Sequence, residues 1–542
     1  MSPAVVVIFV YLMVQIRTST CLTQVEIACP IFTSTFSGNG ALPFHGPAFE
    51  AAVKECNRIY AGVFNFTITF ITAATVEETI DNFAGNIARW YLDPKRSSDI
   101  GAIISPGSTD PTLVHQLTSH WNILCLSTTV ARKSEYNLRP ATTMIAATFV
   151  SLPSIATTLT TLLSSHGWIT VFLVIDRGSV AAYYSLADEL DRTNKTVPPI
   201  RYLKRNIVAK NLRSFDQLLR EFKLESRVML FLGHADFLRR LMVDAASLNM
   251  TNGEFVYICD EPLTNPRTYG DIQWQQPGED APNQLAAREA FRSLLIVQPY
   301  ELTDFSLSNK SDELGRRFRV RSKELYNVTL TAADQGLPII LASYTNVFMF
   351  AQVLNETLAT YGEARLRDGK WLSERFLNRA FISPGGLSDV YVNENGFRQA
   401  PQSIAHFEGE NSTREIIFIQ SNEYGPDLQL VRNISTTWPG GMWPPPNEPI
   451  CGYNGMKKAC RESGTVVIFV YLMVQIRYIN VPNSGRNCLS NSSLVTFGGN
   501  GALPVTVRLF EAAVKECNRI YAGLVFNFTI TLITAATGRG DD

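Results

Sequence analysis

The chain has 542 residues, a formal net charge of -1 and 46% hydrophobic residues. That length exceeds one ordinary core and predicts several domains of roughly 100–200 residues each. The apolar content supports packed cores rather than disorder. With 48 basic and 49 acidic residues, the charge balance excludes a global field that would hold nucleic acid or an anionic membrane.

The N-terminus carries a short apolar run, residues 5–16, in which only Gln15 is strongly polar. As a helix it would span about 18 Å, which is short of the roughly 30 Å hydrocarbon core of a bilayer. Such a run predicts a signal peptide over residues 1–20, and an excess of Asn-x-Ser/Thr sequons supports a secreted chain or the extracellular face of the plasma membrane. The glycosylation candidates are Asn194, Asn249, Asn309, Asn327, Asn355, Asn411 and Asn433.

From residue 25 onward, β-type apolar runs alternate with helical patterns. The first series predicts strands over 25–32, 64–73, 100–104 and 123–126, and helices over 47–60, 76–92 and 110–121. The strand runs are apolar throughout rather than alternating, which is typical of a parallel sheet covered on both faces. This part of the chain therefore predicts a wound α/β lobe.

A helix over 149–166 crosses to a second series. Its predicted strands are 169–175, 201–208, 228–232, 255–259 and 294–299, and its helices are 180–192, 214–224 and 237–248. Residues 270–282 predict a surface loop. Helices over 312–326 and 344–361 then cap one lobe or the other, and residues 389–407 and 415–420 predict antiparallel strands.

The two series predict an α/β fold of two doubly wound parallel-sheet lobes joined by a hinge. The first lobe is expected over 25–150 with part of 330–400, and the second over 167–330 with part of 380–440. Ligands in such sheets bind at the carboxyl ends of strands, and hinged lobes close on them. The cleft candidates are Ser34, Thr35, Ser105, Ser108, Ser127 and Thr128 in the first lobe, and Asp176, Arg177 and Asp260 in the second.

The sequence carries no recognisable catalytic or metal motif: HExxH, GxxxxGK[ST] and GxSxG do not occur. The six histidines lack metal-ligand spacing, and His115 and His120 are interpreted as surface or capping residues. Asp260 and Glu261 are adjacent at a strand end, where neighbouring side chains diverge, so they are poor acid/base partners. These observations predict binding rather than catalysis, with no metal.

The end of the chain repeats its beginning. Residues 6–17 recur unchanged at 466–477, residues 38–43 at 499–504, and residues 49–62 at 510–523. One incomplete copy cannot stack into a solenoid, so residues 464–542 are not expected to form an independent stable domain. A membrane anchor over 465–476 is the alternative, but so short an apolar run is too short to span a bilayer.

Three segments resemble one receptor family. The stretch from Gly101 to Ser108, followed by His120-Trp121-Asn122-Ile123, resembles part of the ligand-binding region of natriuretic-peptide-receptor-type proteins. His166-Gly167-Trp168 before an apolar strand resembles the lobe crossing of that family. The tail from Trp438 to Tyr453 resembles the juxtamembrane end of receptor guanylate cyclase ectodomains. The resemblance covers roughly residues 25–460.

The resemblance implies a type I periplasmic-binding-protein fold, a cleft for a peptide or small-molecule ligand, and a homodimer. The family's kinase-like and cyclase domains have no counterpart in this sequence, so the chain is expected to bind without catalysing. The family also implies a chloride site, here with Thr72, Gly107 and Ser108 as candidates, and no other cofactor. It further implies a juxtamembrane disulfide between Cys451 and Cys460, which could instead bridge protomers.

Three other cysteines are not expected to form disulfides, and two alternative functions stay open. Ser108 replaces a family cysteine, which puts the nearby disulfide in doubt, and Cys29, Cys125 and Cys259 are predicted to be buried thiols. One alternative is an amino-acid-sensing flytrap as in glutamate receptors, with Ser127 and Thr128 on the ligand carboxylate and Asp260 or Asp176 on its amine. An α/β hydrolase is the distant alternative, and it would require a nucleophile elbow.

Overall fold

The computed structural model describes residues 22–34, 40–74, 76–96, 98–106, 111–128, 142–148, 150–263, 265–266, 268–300, 305–332, 334–383, 387, 389–408, 414–420, 428–449, 452–453, 457, 471–472 and 495–496. The chain divides into two compact units, Met1–Pro449 and Ile450–Asp542.

In the first unit the strands are β1 (Thr23–Phe32), β2 (Phe64–Ala73), β3 (Gly101–Ser105), β4 (Leu124–Ser127), β5 (Met144–Ala146), β6 (Thr170–Asp176), β7 (Arg201–Ile207), β8 (Val228–Leu232), β9 (Val256–Asp260), β10 (Leu294–Pro299), β11 (Arg379–Phe381), β12 (Val390–Val392), β13 (Arg398–Gln399), β14 (Gln402–Phe407), β15 (Arg414–Gln420) and β16 (Leu428–Leu430).

The α-helices of this unit are α1 (Leu42–Ile59), α2 (Val76–Leu92), α3 (Pro111–His120), α4 (Leu152–Ser165), α5 (Ala181–Thr193), α6 (Asp216–Glu225), α7 (Ala235–Ser247), α8 (Ala281–Phe291), α9 (Phe305–Tyr326), α10 (Leu337–Tyr361) and α11 (Gly369–Glu374). Short 3₁₀ turns lie at Ala209–Asn211, Glu363–Arg367 and Pro439–Gly441.

The first lobe is a parallel sheet in the order β2-β1-β3-β4-β5. Every residue of β1 from Val25 to Phe32 is buried, as expected of a central parallel strand covered on both faces. Helices α1 and α10 pack together, and Phe49 and Phe350 belong to the core on that side of the sheet. A smaller cluster that includes Ile87 of α2 covers the other face.

The second lobe is an eight-stranded sheet in the order β16-β15-β14-β10-β9-β8-β6-β7. The strands from β10 to β7 pair in parallel, and β14, β15 and β16 add an antiparallel edge. One core packs α4 and α5 against the sheet, and a second packs α6, α7 and α8 against its other face. The predicted α/β fold of two wound lobes is thereby confirmed.

The lobe boundaries differ from the sequence prediction. Helix α9 packs on α1 through Phe318 and belongs to the first lobe, so the second lobe's first segment ends near Pro299 rather than at the predicted residue 330. Helix α4 belongs to the second lobe, because Ile155 and Leu159 lie in its core. Helix packing partners are set by long-range contacts, and the local apolar period does not identify them.

Two local predictions are corrected. Helix α8 begins inside the predicted loop: Asp280 caps it by accepting a hydrogen bond from the backbone N–H of Asn283 at 3.1 Å. The predicted strand over 389–407 is divided, because β12 and β13 join β11 in a small antiparallel sheet, whereas β14 pairs with β10 in the second lobe. The chain crosses between lobes at Ala400 and Pro401.

Among the described residues one helix, α10, is long and apolar enough to cross a membrane. Of its apolar window, 78% is buried, with Val347, Phe350 and Leu354 in the first-lobe core. Packing therefore accounts for its composition.

The second unit is described over a few residues only. Tyr471–Leu472 and Val495–Thr496 form a short antiparallel pair, β17 and β18. The predictions of a signal peptide over 1–20, of a disulfide between Cys451 and Cys460, and for most of 464–542 fall outside the described residues.

Candidate binding cleft

The chain crosses between the two lobes at the carboxyl edges of their sheets. The first crossing follows β5 and leads into α4, the second follows β10, and the third lies between β13 and β14. Strand β14 starts at the carboxyl end of β10, because Pro299 pairs with Gln402. Backbone N–H groups tie the crossings: Tyr300 donates to the carbonyl oxygen of Pro401 at 2.9 Å, and Ala146 donates to that of Gly396 at 2.8 Å. A cleft with the crossings at its base follows.

In the first-lobe wall, the strand ends are joined by their own polar groups. Ser105 and Ser127 pair across β3 and β4. The carbonyl oxygen of Ser105 accepts hydrogen bonds from the N–H and the hydroxyl of Thr128, each at 3.0 Å. All three residues are buried. Ser34 is half-buried, and its N–H donates to the carbonyl oxygen of Ala74 at 3.0 Å.

In the second-lobe wall, Asp176 ends β6 and holds the following loop. Its Oδ1 accepts hydrogen bonds from the backbone N–H groups of Gly178 at 2.9 Å and Ala209 at 3.0 Å. The side chain is fully buried. A Cβ at Gly233, after β8, would lie 2.9 Å from the Asp176 Cβ, so Gly233 permits the close approach of the two strand ends.

Asp260 ends β9 as a buried carboxyl group. Burial, and secondarily the charge of Glu261, raises its pKa well above the usual range. Its Oδ1 has no hydrogen-bond partner among the described residues. Tyr183 places its hydroxyl 3.4 Å from the Asp260 carbonyl oxygen, and Tyr269 stacks edge-on against Tyr183 with ring centroids 5.9 Å apart. Burial at this strand end therefore disfavours the charged form of the Asp260 carboxyl.

Glu261 forms a buried ion pair with Arg414 of β15, with side chains only 6% and 16% exposed. The Arg414 guanidinium also donates to Gln298 Oε1 at 3.1 Å and to the Ile272 carbonyl oxygen at 2.8 Å. Sequence reasoning gave no role to Arg414, Tyr183 or Tyr269. No local signal marks them, since each becomes relevant only through a long-range contact.

Arg177 is an exposed cation at this edge. Its Nε donates to Asn206 Oδ1 at 2.7 Å, and its guanidinium carbon lies 4.9 Å from the centre of the Tyr184 ring. Both contacts hold the side chain in place while it stays accessible, so Arg177 is the charged cleft candidate best placed to touch a ligand.

Of the remaining predicted site residues, the structure describes some and leaves others outside the described ranges. Thr72, in β2, is exposed at the carboxyl edge. Thr35, Gly107 and Ser108 lie outside the described residues, as does Asn411.

The prediction of buried thiols is confirmed for Cys29, Cys125 and Cys259, and Cys56 is also a buried free thiol. Burial raises the pKa of each thiol, to about 12 for Cys56. Protonated buried thiols are inert structural groups.

The interpretation of His115 was wrong, whereas that of His120 fits its exposure. His115 is 3% exposed, because β5 and Thr142 just before it pack against α3. Its Nδ1 lies 3.2 Å from Thr142 Oγ1, and burial lowers its pKa. Within the described ranges, no group of three or more His, Cys, Asp or Glu side chains could hold a metal ion.

Comparison with known proteins gives a consistent result. Residues 45–404 match the family described as "Receptor family ligand binding region". Receptor-type guanylate cyclase gcy-28 of Caenorhabditis elegans is 30% identical over 252 residues, which cover 45% of this chain and 18% of that protein. Atrial natriuretic peptide receptor 2 of Mus musculus is 22% identical over 378 residues, covering 66% of this chain and 33% of the receptor.

Atrial natriuretic peptide receptor 3 of Mus musculus is 24% identical over 228 residues, covering 41% of this chain and 39% of the receptor. The chain thus spans less than two fifths of the length of each of these three relatives.

Proposed function

This chain belongs to the receptor family ligand-binding regions, and from that premise we propose that it binds an extracellular ligand between its lobes and closes on it. The observation that carries the proposal is the position of the crossings, which join the carboxyl edges of both sheets. Each lobe is built around its own core, and the start of α10 also reaches the second lobe, where Ala342 is part of the core. Lobes with separate cores can rotate about such crossings as bodies.

A peptide is the ligand class we propose first. Two of the relatives are named for atrial natriuretic peptide, and Arg177 offers an exposed cation at the cleft edge. Ser34 is the half-buried hydroxyl on the opposite wall. The buried Asp176 and Asp260 support the second-lobe wall from within, so we assign them to its shape rather than to direct ligand contact.

The test is calorimetric titration of the full chain with atrial natriuretic peptide and, separately, with free L-amino acids. Lobe closure should raise the melting temperature and lower the radius of gyration measured by small-angle X-ray scattering. Arg177→Gln should weaken binding about tenfold or more, as expected for a lost charged hydrogen bond. Arg201→Gln is the matched control, because Arg201 is exposed at the amino end of β7 in the same lobe.

The outcomes separate the hypotheses. Binding of a peptide with both changes supports closure on a peptide. Tight binding of a free amino acid instead would favour the flytrap alternative. Binding without a change in scattering radius, or equal effects of the two arginine variants, would contradict the cleft as the site.

We also propose that the chain lies outside the cell, forms a homodimer and does not itself catalyse. The relatives are named as receptors and as a receptor-type guanylate cyclase, and residues 45–404 match the ligand-binding family. Sedimentation equilibrium should give twice the mass of 60.3 kDa, and the purified chain should form no cyclic GMP from GTP. A monomer or a measurable cyclase rate would contradict these points.

Chloride binding stays a proposal based on the resemblance. Thr72, the described candidate, has an exposed side chain at the edge of β2, and a hydroxyl there is compatible with an anion contact. Replacing chloride by gluconate at constant ionic strength should lower the melting temperature. An unchanged melting temperature would remove the proposal.

A further inference from the structure

A groove of 520 Å³ lies on the second lobe, where the last turn of α4, strands β15 and β16 and the tail meet. Phe418 and Trp443 form apolar walls, and Asn433 stands beside them. The volume falls within the roughly 300–1,000 Å³ of small-ligand sites. The groove is separate from the cleft, because His166, which also lines it, precedes the amino end of β6.

Asn433 begins the sequon Asn433-Ile434-Ser435 and is exposed. Its Oδ1 accepts hydrogen bonds from the N–H of Ser435 at 2.9 Å and from the Ser435 hydroxyl at 2.7 Å. These bonds fix the amide by its oxygen. Its Nδ2 has no hydrogen-bond partner among the described residues, so it is free to carry a sugar.

Several other sequons are engaged in the fold, either through the asparagine Nδ2 or through burial of the hydroxyl residue. Asn194 donates from Nδ2 to the Ile200 carbonyl oxygen at 2.6 Å, and Asn65 donates from Nδ2 to Gln24 Oε1 at 2.7 Å. In the sequon of Asn355, Thr357 is only 2% exposed. Asn249, in contrast, is exposed at the end of α7. The structure therefore distinguishes sequons that are engaged in the fold from those that are presented to solvent.

The groove has the chemistry of a sugar site. The His166 ring centroid lies 5.4 Å from that of Trp443 and 5.5 Å from that of Phe418. Aromatic faces carry negative charge that complements the polarised C–H bonds of a pyranose ring. The Nδ1 of His166 lies 2.9 Å from the Leu162 carbonyl oxygen, so Nδ1 is the donor and Nε2 is left as an acceptor for a sugar hydroxyl or acetamide N–H.

The edge strand β16, next to the groove, exposes apolar side chains to solvent. Strand β16 is the last strand of the sheet, and Leu430 and Val431 beside it are 55% and 53% exposed. An exposed apolar edge strand invites pairing with other chains, and native proteins blunt such edges. A bulky hydrophilic group attached three residues after Leu430 would do so.

We propose that Asn433 carries an N-linked glycan whose first sugars lie in this groove and cover the edge of β16. In the transfer, Nδ2 bonds to the anomeric carbon of a lipid-pyrophosphate-linked oligosaccharide. The carbon–oxygen bond to the pyrophosphate breaks, the lipid pyrophosphate leaves, and Nδ2 loses one proton to a base. The proposal rests on the extracellular placement in the proposed function and is independent of the ligand and the cleft.

The test is expression of the full chain in secreting animal cells, followed by glycopeptide mass spectrometry. Asn433 and Asn249 should both be occupied. Under native conditions an endoglycosidase that cuts within the core sugars should release the Asn433 glycan several-fold more slowly than the Asn249 glycan, because Asn249 is exposed at the end of α7 and does not line this groove. Leu430→Ala and Trp443→Ala should remove that difference without changing occupancy.

A second experiment tests whether the glycan covers the edge of β16. Asn433→Gln and Ser435→Ala both abolish the sequon. The controls are Ser435→Thr, which keeps the sequon, and Asn249→Gln, which removes the other glycan. Only the first two should increase light scattering at 37 °C several-fold. An unmodified Asn433 on a chain glycosylated at Asn249 overturns this proposal and leaves the extracellular placement intact. A chain without any glycan overturns both. Equal release rates at the two sites overturn the groove assignment.

Discussion

The indole Nε1 of Trp168 donates a hydrogen bond to the carbonyl oxygen of Pro445 at 2.9 Å, across 277 residues of sequence. Beside it, Asn447 Oδ1 accepts from the backbone N–H groups of Ile169 and Thr170, each at 2.9 Å. The tail is thus fastened at the amino end of β6. This is the edge of the second lobe opposite the cleft, so tail docking and ligand binding use different ends of the same strands.

Tail docking predicts a large effect at Gly253, whose carbonyl oxygen accepts a hydrogen bond from Trp438 Nε1 at 3.0 Å. Its φ is +94°, and a Cβ there would lie 1.7 Å from the Pro439 carbonyl oxygen. Gly253→Ala should therefore lower the free energy of unfolding by several kcal/mol, on the order of 3 or more. Urea denaturation measures the loss.

Gly278→Ala is the control for that measurement. Gly278 has φ +83°, and a Cβ added there would meet nothing within 4 Å, so its substitution reports the backbone strain alone, about 1–2 kcal/mol. Equal losses in the two variants would show that the contact with Pro439 contributes nothing.

Breaking the buried ion pair of Glu261 and Arg414 should destabilise the chain far more than breaking an exposed ion pair. Arg414→Met should lower the free energy of unfolding by about 3–5 kcal/mol, because the buried Glu261 carboxylate loses its partner. Arg316→Met breaks an ion pair with Glu313 whose side chains are 62% and 54% exposed, and it should have an effect close to zero. Similar losses from guanidinium denaturation would contradict the burial argument.

Replacing the buried Asp260 should stabilise the chain, and the gain should grow as the pH rises. Burial raises its pKa, so the folded state holds a proton that the unfolded chain releases above about pH 4, and stability falls as the pH rises from there through the raised pKa. Asp260→Asn removes this loss and should stabilise the chain at pH 8 by about 1–3 kcal/mol, and less at pH 5. The exposed Asp188→Asn should show no such trend, and a gain that does not grow with pH would count against it.

The buried His406 predicts the opposite dependence of stability on pH from that of Asp260. Burial lowers its pKa to about 4, so between about pH 6.5 and pH 4 the unfolded chain binds a proton that the folded state does not. Stability should fall as the pH drops through this window, by up to about 3 kcal/mol. His406→Gln should flatten the curve of unfolding free energy against pH, whereas His120→Gln, at an exposed site, should leave it unchanged. Parallel curves for wild type and His406→Gln would contradict the assignment.

The sequence by itself determined the wound α/β architecture. Strands over 64–73, 228–232 and 294–299 and the helix over 76–92 coincide with β2, β8, β10 and α2, because burial on both faces or along one stripe leaves a local apolar pattern. It also placed Asp176 and Asp260 at strand ends and identified the buried thiols. Each of these features depends on a residue and its near neighbours in the chain.

Only the tertiary structure decided the rest. It assigned α9 to the first lobe, paired Glu261 with Arg414, buried His115 under Thr142 and fixed the tail to Trp168. The residues in these pairs are far apart in sequence, and their local patterns would be the same with other partners. Which surfaces meet is set by the packing of whole elements, and therefore burial, charge partners and the pKa shifts that follow from them become visible only in the folded chain.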